Sequence, residues 1–110
     1  MKAARSFCLV FVTTPDLKVA RRIARIVLKA RLAACANLVP GLESHYWWQG
    51  KLERAREVLI MFKASRANLS QLENSVIENH PYDTPEVISF SLQSGNAKYL
   101  RWLMHAQRKA

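Results

Sequence analysis

The amino-acid sequence contains only three glycines and two cysteines among its 110 residues. The glycines are far apart, so they form no glycine-rich phosphate loop, and neither a GxSxG nor an HExxH motif occurs. Cys8 and Cys35 lie in separate apolar segments without CxxC spacing, and we interpret them as buried, reduced thiols. These absences predict a protein that is not an enzyme and that requires no cofactor.

No apolar run in the sequence is long enough to cross a bilayer as a helix. The first such segment covers only residues 6–13, whereas a transmembrane helix needs about 20 apolar residues. The N-terminal residues lead into this segment without a signal-peptide cleavage site. We therefore expect a cytoplasmic protein with no membrane partner.

Acidic residues are scarce, with eight Asp and Glu against 17 Lys and Arg and a net charge of +9. None lies between Asp16 and Glu43. That gap holds the basic residues Lys18, Arg21, Arg22, Arg25, Lys29 and Arg31. We interpret them as the solvent face of an amphipathic helix. The alternative is a nucleic-acid-binding module that uses helix 15–31 against phosphates, although we do not expect nucleic acid as the partner.

The apolar pattern predicts one domain, residues 1–110, in which strands and helices alternate. Ala20, Ile23 and Val27 recur at the spacing of a buried helix face. The predicted elements are a strand over 6–13, a helix over 15–31 capped by Thr14, a hairpin up to Lys63, a helix from the cap Ser65 to Pro81, a strand over 86–92 and a short helix after Gly95. With right-handed crossovers this order predicts an α+β, ferredoxin-like βαββαβ sandwich with a short C-terminal helix.

The predicted hairpin is too long for the domain that carries it. Its two apolar arms meet at Gln49-Gly50, and Pro40-Gly41 predicts a bend or bulge in the first arm. Residues 35–48 would span roughly 46 Å if straight, whereas a compact chain of this length is roughly 34 Å across. The hairpin should therefore bend, or project and pack on another subunit.

Side chains near the hairpin tip favour packing on another subunit. Tyr46, Trp47 and Trp48 are consecutive, so a strand places large rings on both of its faces. One two-layer domain cannot cover both faces, which predicts an obligate oligomer. Lys51, Glu53 and Glu57 follow on the second arm, where we expect them to form salt bridges or to fix the register between subunits.

The loop from His80 to Glu86 collects the largest group of polar side chains. Two prolines stiffen it, and it presents an imidazole, a phenol and two carboxylates. These groups predict a site for a metal ion or a small polar ligand. The alternative is a hydrogen-bonded loop in which His80 closes the preceding helix. Copper(II) would need more histidines than one chain brings together, although a site shared between subunits could supply them.

These segments together resemble the CutA divalent-cation tolerance family, from Phe11 to Leu103. The resemblance is carried by Thr14-Pro15-Asp16, Leu32-Ala33-Ala34-Cys35-Ala36-Asn37, Pro40-Gly41, Ser44, Tyr46-Trp47-Trp48, Gly50-Lys51-Leu52-Glu53, Glu57, Lys63, His80-Pro81-Tyr82, Pro85-Glu86, Gly95, Tyr99-Leu100 and Trp102-Leu103. It implies a ferredoxin-like fold similar to that of PII signalling proteins and a homotrimer whose hairpins pair across subunits. It also implies a cytoplasmic role in tolerance of copper and other divalent cations, without an established enzymatic reaction.

The sequence departs from this family at the copper site that has been proposed for some members. Those members use a cysteine before the Thr-x-Pro-Asp turn and two adjacent histidines before Pro-Tyr. The matching positions here are Val12, Asn79 and His80. His80 is therefore the one residue that the resemblance leaves as a metal ligand.

The main hypothesis is a homotrimeric binding protein with ligand clefts between its subunits. We expect His80 to hold a divalent cation such as Cu(II), with Tyr82 and Glu86 as polar groups and Trp48 and Trp102 as apolar walls. A nucleic-acid-binding module is the second hypothesis. A small enzyme that uses His80, Tyr82 and Glu86 as acid–base groups is the third.

Overall fold

The computed structural model describes residues 1–108 and confirms the predicted α+β, ferredoxin-like fold. In chain order the elements are β1 (Lys2–Ala3), β2 (Phe7–Thr14), α1 (Leu17–Lys29), β3 (Cys35–Trp48), β4 (Lys51–Ser65), a 3₁₀ turn (Arg66–Asn68), α2 (Leu69–Asn79), β5 (Val87–Ser91), β6 (Ser94–Gly95) and α3 (Ala97–Ala106). The main antiparallel sheet has the order β3-β4-β2-β5, and the short β1 and β6 pair separately. The two central strands are β2 and β4, as expected for a split βαβ arrangement.

One face of the main sheet forms the core with α1 and α2. Alternate residues of β2 and β4 point to this face, because successive strand side chains face opposite ways. The core side chains include Val10, Val12, Ile60 and Phe62 from the strands, Ala20, Ile23, Ala24 and Val27 from α1, and Leu72 and Val76 from α2. The helical spacing of the buried α1 residues therefore gives the amphipathic helix that the sequence predicts.

A second, smaller cluster attaches α3 to the opposite end of the sheet from the β2–α1 connection. Leu100 and Leu103 pack against Ala4 and Phe7 at the start of β2. The Ser65 backbone N–H, at the end of β4, donates to the Gln107 side-chain oxygen at 2.7 Å. These contacts fix α3 beside the first residues of β2 and the last residues of β4.

The structure corrects the predicted starts of both long helices. Asp16, not Thr14, is the N-cap of α1, and its carboxylate accepts the Val19 N–H at 2.8 Å. Thr14 still belongs to β2, and its hydroxyl donates to the Val58 carbonyl. Ser65 does not start α2, since β4 pairs with β2 as far as Ser65 and the 3₁₀ turn follows. In both cases sheet pairing outcompetes the local capping signal.

The hairpin has the predicted turn and the predicted bulge. β3 and β4 pair from Cys35–Lys63 to Trp48–Lys51, joined by Gln49 at φ 49° and Gly50 at φ 79°. Two positive φ values in a two-residue loop are typical of the type I′ turn that suits twisted strands. A register shift lies between Val39 and Leu42, where Gly41 has φ 80°. The molecule is accordingly elongated, at 45 × 28 × 23 Å.

The other face of the main sheet carries apolar side chains that α1 and α2 do not cover. We call it the open face, and its apolar residues are Leu9, Phe11, Val39, Leu59, Met61, Ile88 and Phe90. Val39, Ile88 and Phe90 are 40–46% exposed. Phe11 packs edge-on against Phe90, with ring centroids 4.8 Å apart. This face is thus apolar but exposed to solvent in the single chain.

The hairpin turn provides a test of the register. Gly50→Ala should lower the free energy of unfolding by about 1–2 kcal/mol, because a Cβ disfavours the left-handed conformation although it would meet no neighbouring atom. Gly50→Asn should cost roughly half as much, since Asn tolerates positive φ. Chemical denaturation at one protein concentration compares the two variants. Equal losses would contradict the type I′ turn.

Candidate functional site

A cleft of about 650 Å³ lies between the outer half of the hairpin and the loop that precedes β5. Its walls are Thr13, Ser44, His45, Tyr46, Trp48, Glu57, Pro81, Tyr82, Asp83, Thr84 and Glu86. Thr13 and Glu57 belong to β2 and β4 and point to the same side as the open face. The cleft is therefore the continuation of the open face at the end where β2 leads into α1.

The bulge in β3 determines which hairpin residues reach the cleft. Before the bulge Val39 pairs with Leu59, and after it Leu42 pairs with Glu57, so the shift changes which alternate residues of β3 face this side. Tyr46 and Trp48 consequently share a face with Glu57. Trp47 points to the other side and is 73% exposed. The structure thus places large rings on both faces of the tip, as the sequence predicts.

Glu57 is the most buried charged group of the cleft, at 8% exposure. The Tyr82 hydroxyl donates to its Oε2 at 2.8 Å, which ties the loop to the hairpin. Among residues 1–108 the ion pair within 4 Å is His45–Glu43, so no cation of this part of the chain pairs with Glu57. A carboxylate that is taken out of water normally has a positive partner. In the single chain this charge has one hydrogen bond, from a neutral phenol, and no positive partner, and its other oxygen opens to the cleft.

The cleft favours the protonated forms of two neighbouring groups. Burial raises the pKa of the Tyr82 phenol above its usual range, and the hydrogen bond to Glu57 raises it further. Burial also raises the pKa of Glu86, with the nearby charge of Glu57 as the second cause. Both shifts report a site that is partly shielded from water and locally negative.

His80 holds the loop in place through both of its ring nitrogens. The Tyr82 backbone N–H donates to Nδ1 at 3.1 Å, so Nδ1 accepts and Nε2 carries the proton. Nε2 then donates to the Thr13 carbonyl at 2.8 Å. This is the helix-closing role that the sequence left open as an alternative, since His80 is the C-cap of α2. Neither ring nitrogen has a free lone pair in this arrangement.

The role of His80 as a metal ligand therefore stays a prediction. The geometry shows which hydrogen bond a bound metal ion would have to break. A metal ion at Nδ1 would have to displace the Tyr82 N–H. Within residues 1–108 no group of three His, Cys, Asp or Glu side chains is placed to hold a metal ion. At the other two matching positions, Val12 is fully buried in the core, and the Asn79 side chain donates to the Ser75 carbonyl.

The predicted ligand residues are only partly brought together. Trp48, Tyr82 and Glu86 line the cleft. Trp102 does not, because it lies on α3, which packs at the Phe7 end of β2, whereas the cleft is at the Thr13 end. Six residues of strand separate those ends, about 20 Å. In a single chain Trp102 cannot be a wall of this cleft.

Glu57 has a larger role in the site than the sequence indicated. We predicted that it, with Lys51 and Glu53, forms salt bridges or fixes the register between subunits. The structure leaves Lys51 and Glu53 exposed but buries Glu57 beneath Tyr82. Two signals in the sequence could have indicated this role. The bulge at Pro40-Gly41 places the aromatic side chains of β3 on the same face as Glu57, and the phenol of Tyr82 covers its carboxylate.

The basic residues of α1 lie on its solvent face, opposite the buried stripe. Lys18, Arg21 and Arg25 are exposed, and the Arg22 guanidinium donates to the Asn79 carbonyl at 2.9 Å. On the open face the Lys63 ammonium donates to the Asn37 side-chain oxygen at 2.6 Å. Phe7 is buried and Phe11 is half-buried, so base stacking on the sheet has little support. The amphipathic-helix interpretation is the one that agrees with this packing.

Comparison with known proteins gives a consistent picture. Residues 8–106 match the family model described as CutA1 divalent ion tolerance protein. Over 101 residues the chain is 43% identical to the chloroplastic protein CutA 1 of Oryza sativa, which covers 92% of this chain and 57% of that protein. It is 42% identical to the divalent-cation tolerance protein CutA of Thermus thermophilus, covering 86% of this chain and 91% of that one.

Solved structures of similar proteins have the same fold. The crystal structure of CutA1 from Oryza sativa matches with a TM-score of 0.91 at 40% identity, over 97% of this chain and 98% of that one. The periplasmic divalent cation tolerance protein CutA from Archaeoglobus fulgidus matches with a TM-score of 0.90 at 30% identity, over 93% and 99%.

The names of these relatives bear on the cellular location of the protein, and their lengths show how much of each relative this chain covers. The chain spans about half the length of the plant and mammalian relatives that it matches. Those from plants are chloroplastic by name, and the archaeal protein is periplasmic, so a cytoplasmic location stays a prediction. Among residues 1–108, no helix has the length and apolar character needed to span a membrane.

The raised pKa of Glu86 leads to a pH-dependent prediction. Because the folded-state pKa lies above the ordinary value, the contribution of Glu86 to stability is present in acid and is lost as the pH rises through the folded-state pKa. Glu86→Gln should therefore raise the free energy of unfolding at neutral pH, by less than about 1 kcal/mol because solvent screens this exposed group. The gain should shrink as the pH falls towards the acid range.

Denaturant titrations at several pH values measure this effect. Glu78→Gln is the matched control, since Glu78 is exposed on α2 and does not line the cleft. The control should show no comparable gain. A loss of stability in Glu86→Gln at neutral pH would mean that the native protein supplies Glu86 with a cation.

Proposed function

This chain belongs to the CutA1 divalent ion tolerance family, and from that membership we propose that it is a homotrimer whose intersubunit clefts bind a small ligand. Its role is linked to tolerance of divalent cations such as copper, and it acts by binding and not by catalysis. The observation that carries this proposal is the cleft itself, in which the buried Glu57, the Tyr82 phenol and Trp48 converge. We propose a cytoplasmic location as well.

The open face supports an assembly of several copies. Val39, Ile88 and Phe90 are partly exposed there beside the half-buried Phe11, and contiguous apolar area of this kind marks contact surfaces. The hairpin adds Trp47 and Leu52, which pair across the arms on the other side of the tip. A subunit that covers the open face necessarily borders the cleft, because the cleft continues that face.

The distribution of apolar patches favours a closed ring over a two-fold dimer. A ring uses two different surfaces of each subunit, whereas a two-fold dimer uses one surface twice. Besides the open face, α3 exposes Tyr99 and Trp102, whose rings lie 5.5 Å apart, together with Met104. In a ring, the α3 patch of one subunit can meet the hairpin of the next. In that arrangement Trp102 would be a wall of the cleft, which is the role that the sequence predicts for it.

The same geometry favours a small ligand over a metal ion. A volume of about 650 Å³ is within the range of small-molecule sites. Both nitrogens of His80 are already bonded to backbone groups. His80 therefore acts in this proposal as a positioning residue, which holds Tyr82 against Glu57.

Sedimentation analysis at micromolar concentration tests the assembly. We expect a trimer for the wild type and smaller species for Phe90→Glu, because a charge on the open face would be buried without a partner in the trimer. Ile77→Glu is the control, since Ile77 is 50% exposed on α2, away from the open face, and its variant should stay trimeric. A well-folded wild-type monomer would overturn the proposal.

Calorimetric titration with Cu(II) tests the role of His80. We expect His80→Ala to leave the Cu(II) affinity of the trimer unchanged within about twofold, because its ring nitrogens are not available. Circular dichroism must first show that the variant keeps the wild-type fold. A loss of about tenfold or more would identify His80 as a metal ligand, as the sequence predicts, and would show that the ring releases the Tyr82 N–H.

A further inference from the structure

We propose that the ligand of this cleft is a small organic cation, an ammonium or guanidinium compound with an apolar body. This inference rests on the proposed function and specifies the chemical class of the ligand. Three features of the described residues carry it: the charge of the cleft walls, the uncompensated carboxylate of Glu57, and the aromatic rings on the hairpin side.

The cleft concentrates negative charge in a protein that is otherwise strongly basic. The chain has eight acidic residues and a net charge of +9. Three of those eight, Glu57, Asp83 and Glu86, line the cleft, and no lysine or arginine does. Among the walls of the cleft, His45 is the one side chain that can carry a positive charge, and its Nε2 lies 2.7 Å from a Glu43 carboxylate oxygen. A cation from solution therefore meets a local field opposite in sign to that of the whole molecule.

Glu57 supplies the specific reason for a positive ligand. It is nine-tenths buried and faces the cleft, its Oε2 accepts the Tyr82 hydroxyl, and no cation of residues 1–108 lies within 4 Å. A buried carboxylate is costly unless a positive group compensates it. Burial is the main cause that raises the pKa values of Tyr82 and Glu86, and the negative charge of Glu57 raises both further. An ammonium group in the cleft would supply the missing charge.

The aromatic walls distinguish an organic cation from a metal ion. Tyr46 and Trp48 lie on the hairpin side of the cleft, and Tyr82 lies on the loop side. Ammonium and guanidinium groups are attracted to the faces of such rings, and an apolar body packs against their edges. A bare divalent ion would instead need several converging oxygen or nitrogen ligands. The described residues contain no group of three that is placed to provide them.

Matched small compounds test the proposal on the native trimer. Benzylamine is cationic at neutral pH, whereas benzyl alcohol is neutral and benzoate is anionic, although all three share one ring. We expect benzylamine to bind at least about tenfold more tightly than either of the others by calorimetry. Backbone amide NMR signals of Tyr82, Asp83, Thr84 and Glu86 should shift with benzylamine, which assigns the binding to this cleft.

Charge variants connect this selectivity to individual carboxylates. Glu57→Gln keeps an oxygen for the Tyr82 hydroxyl but removes the charge, and it should weaken benzylamine binding by about tenfold. Glu86→Gln should weaken benzylamine binding by about threefold. Because Glu86 is exposed, this substitution should leave folding unaffected. Glu78→Gln removes one charge from α2 and should stay within about twofold of the wild type. Unchanged binding in both cleft variants would overturn the proposal.

Three outcomes separate this inference from the proposed function. If benzyl alcohol or benzoate binds in the cleft as tightly as benzylamine, the trimer and its ligand site stand and the cationic class is wrong. If no compound binds to the trimer, the organic-cation ligand is excluded although the assembly stands. If sedimentation finds only monomer, the proposed function fails first.

Discussion

The β3–β4 hairpin, which is longer than the domain that carries it, is the constraint on which the rest of this structure depends. Its ladder runs from Cys35–Lys63 to Trp48–Lys51, so the tip extends past the core between the sheet and its helices. Residues beyond the core cannot be covered by α1 or α2. The exposed rings of Tyr46, Trp47 and Trp48 are the direct result. Both the proposed assembly and the existence of a cleft follow from this excess length.

The bulge at Gly41 converts that length into a site. In a strand the side chains alternate, so a shift of register by one residue exchanges the two faces. Without the shift between Val39 and Leu42, Tyr46 and Trp48 would lie on the opposite side from Glu57. The bulge therefore collects an aromatic wall and a carboxylate on one face. Tyr82 closes the other side because His80 fixes the loop to β2 through the Thr13 carbonyl.

The element order, the turn and the bulge could be predicted from the sequence because each has a local cause. Gln49-Gly50 specifies a turn, Pro40-Gly41 a bulge, and the apolar stripe of α1 its buried face. The start of α2 could not be predicted, since Ser65 is a good cap by composition but is held in β4 by the ladder to Phe7. The burial of Glu57 depends on its contact with Tyr82, 25 positions away, and the position of His80 depends on its hydrogen bond to Thr13, 67 positions away. Local sequence patterns cannot predict contacts between residues so far apart.

In the proposed trimer, ligand binding and assembly would be coupled, because they would use the same surface. Trp48 belongs both to the exposed tip and to the cleft wall, and Thr13 and Glu57 continue the open face on which a second copy would pack. A cationic ligand that binds beside Glu57 only when a neighbouring subunit closes the cleft would stabilise the assembled form. The stabilisation would equal the free energy of ligand binding. Conversely, an empty cleft leaves an uncompensated carboxylate at the edge of the interface. The negative charge of Glu57, which has no positive partner in the single chain, would gain one in the proposed occupied assembly.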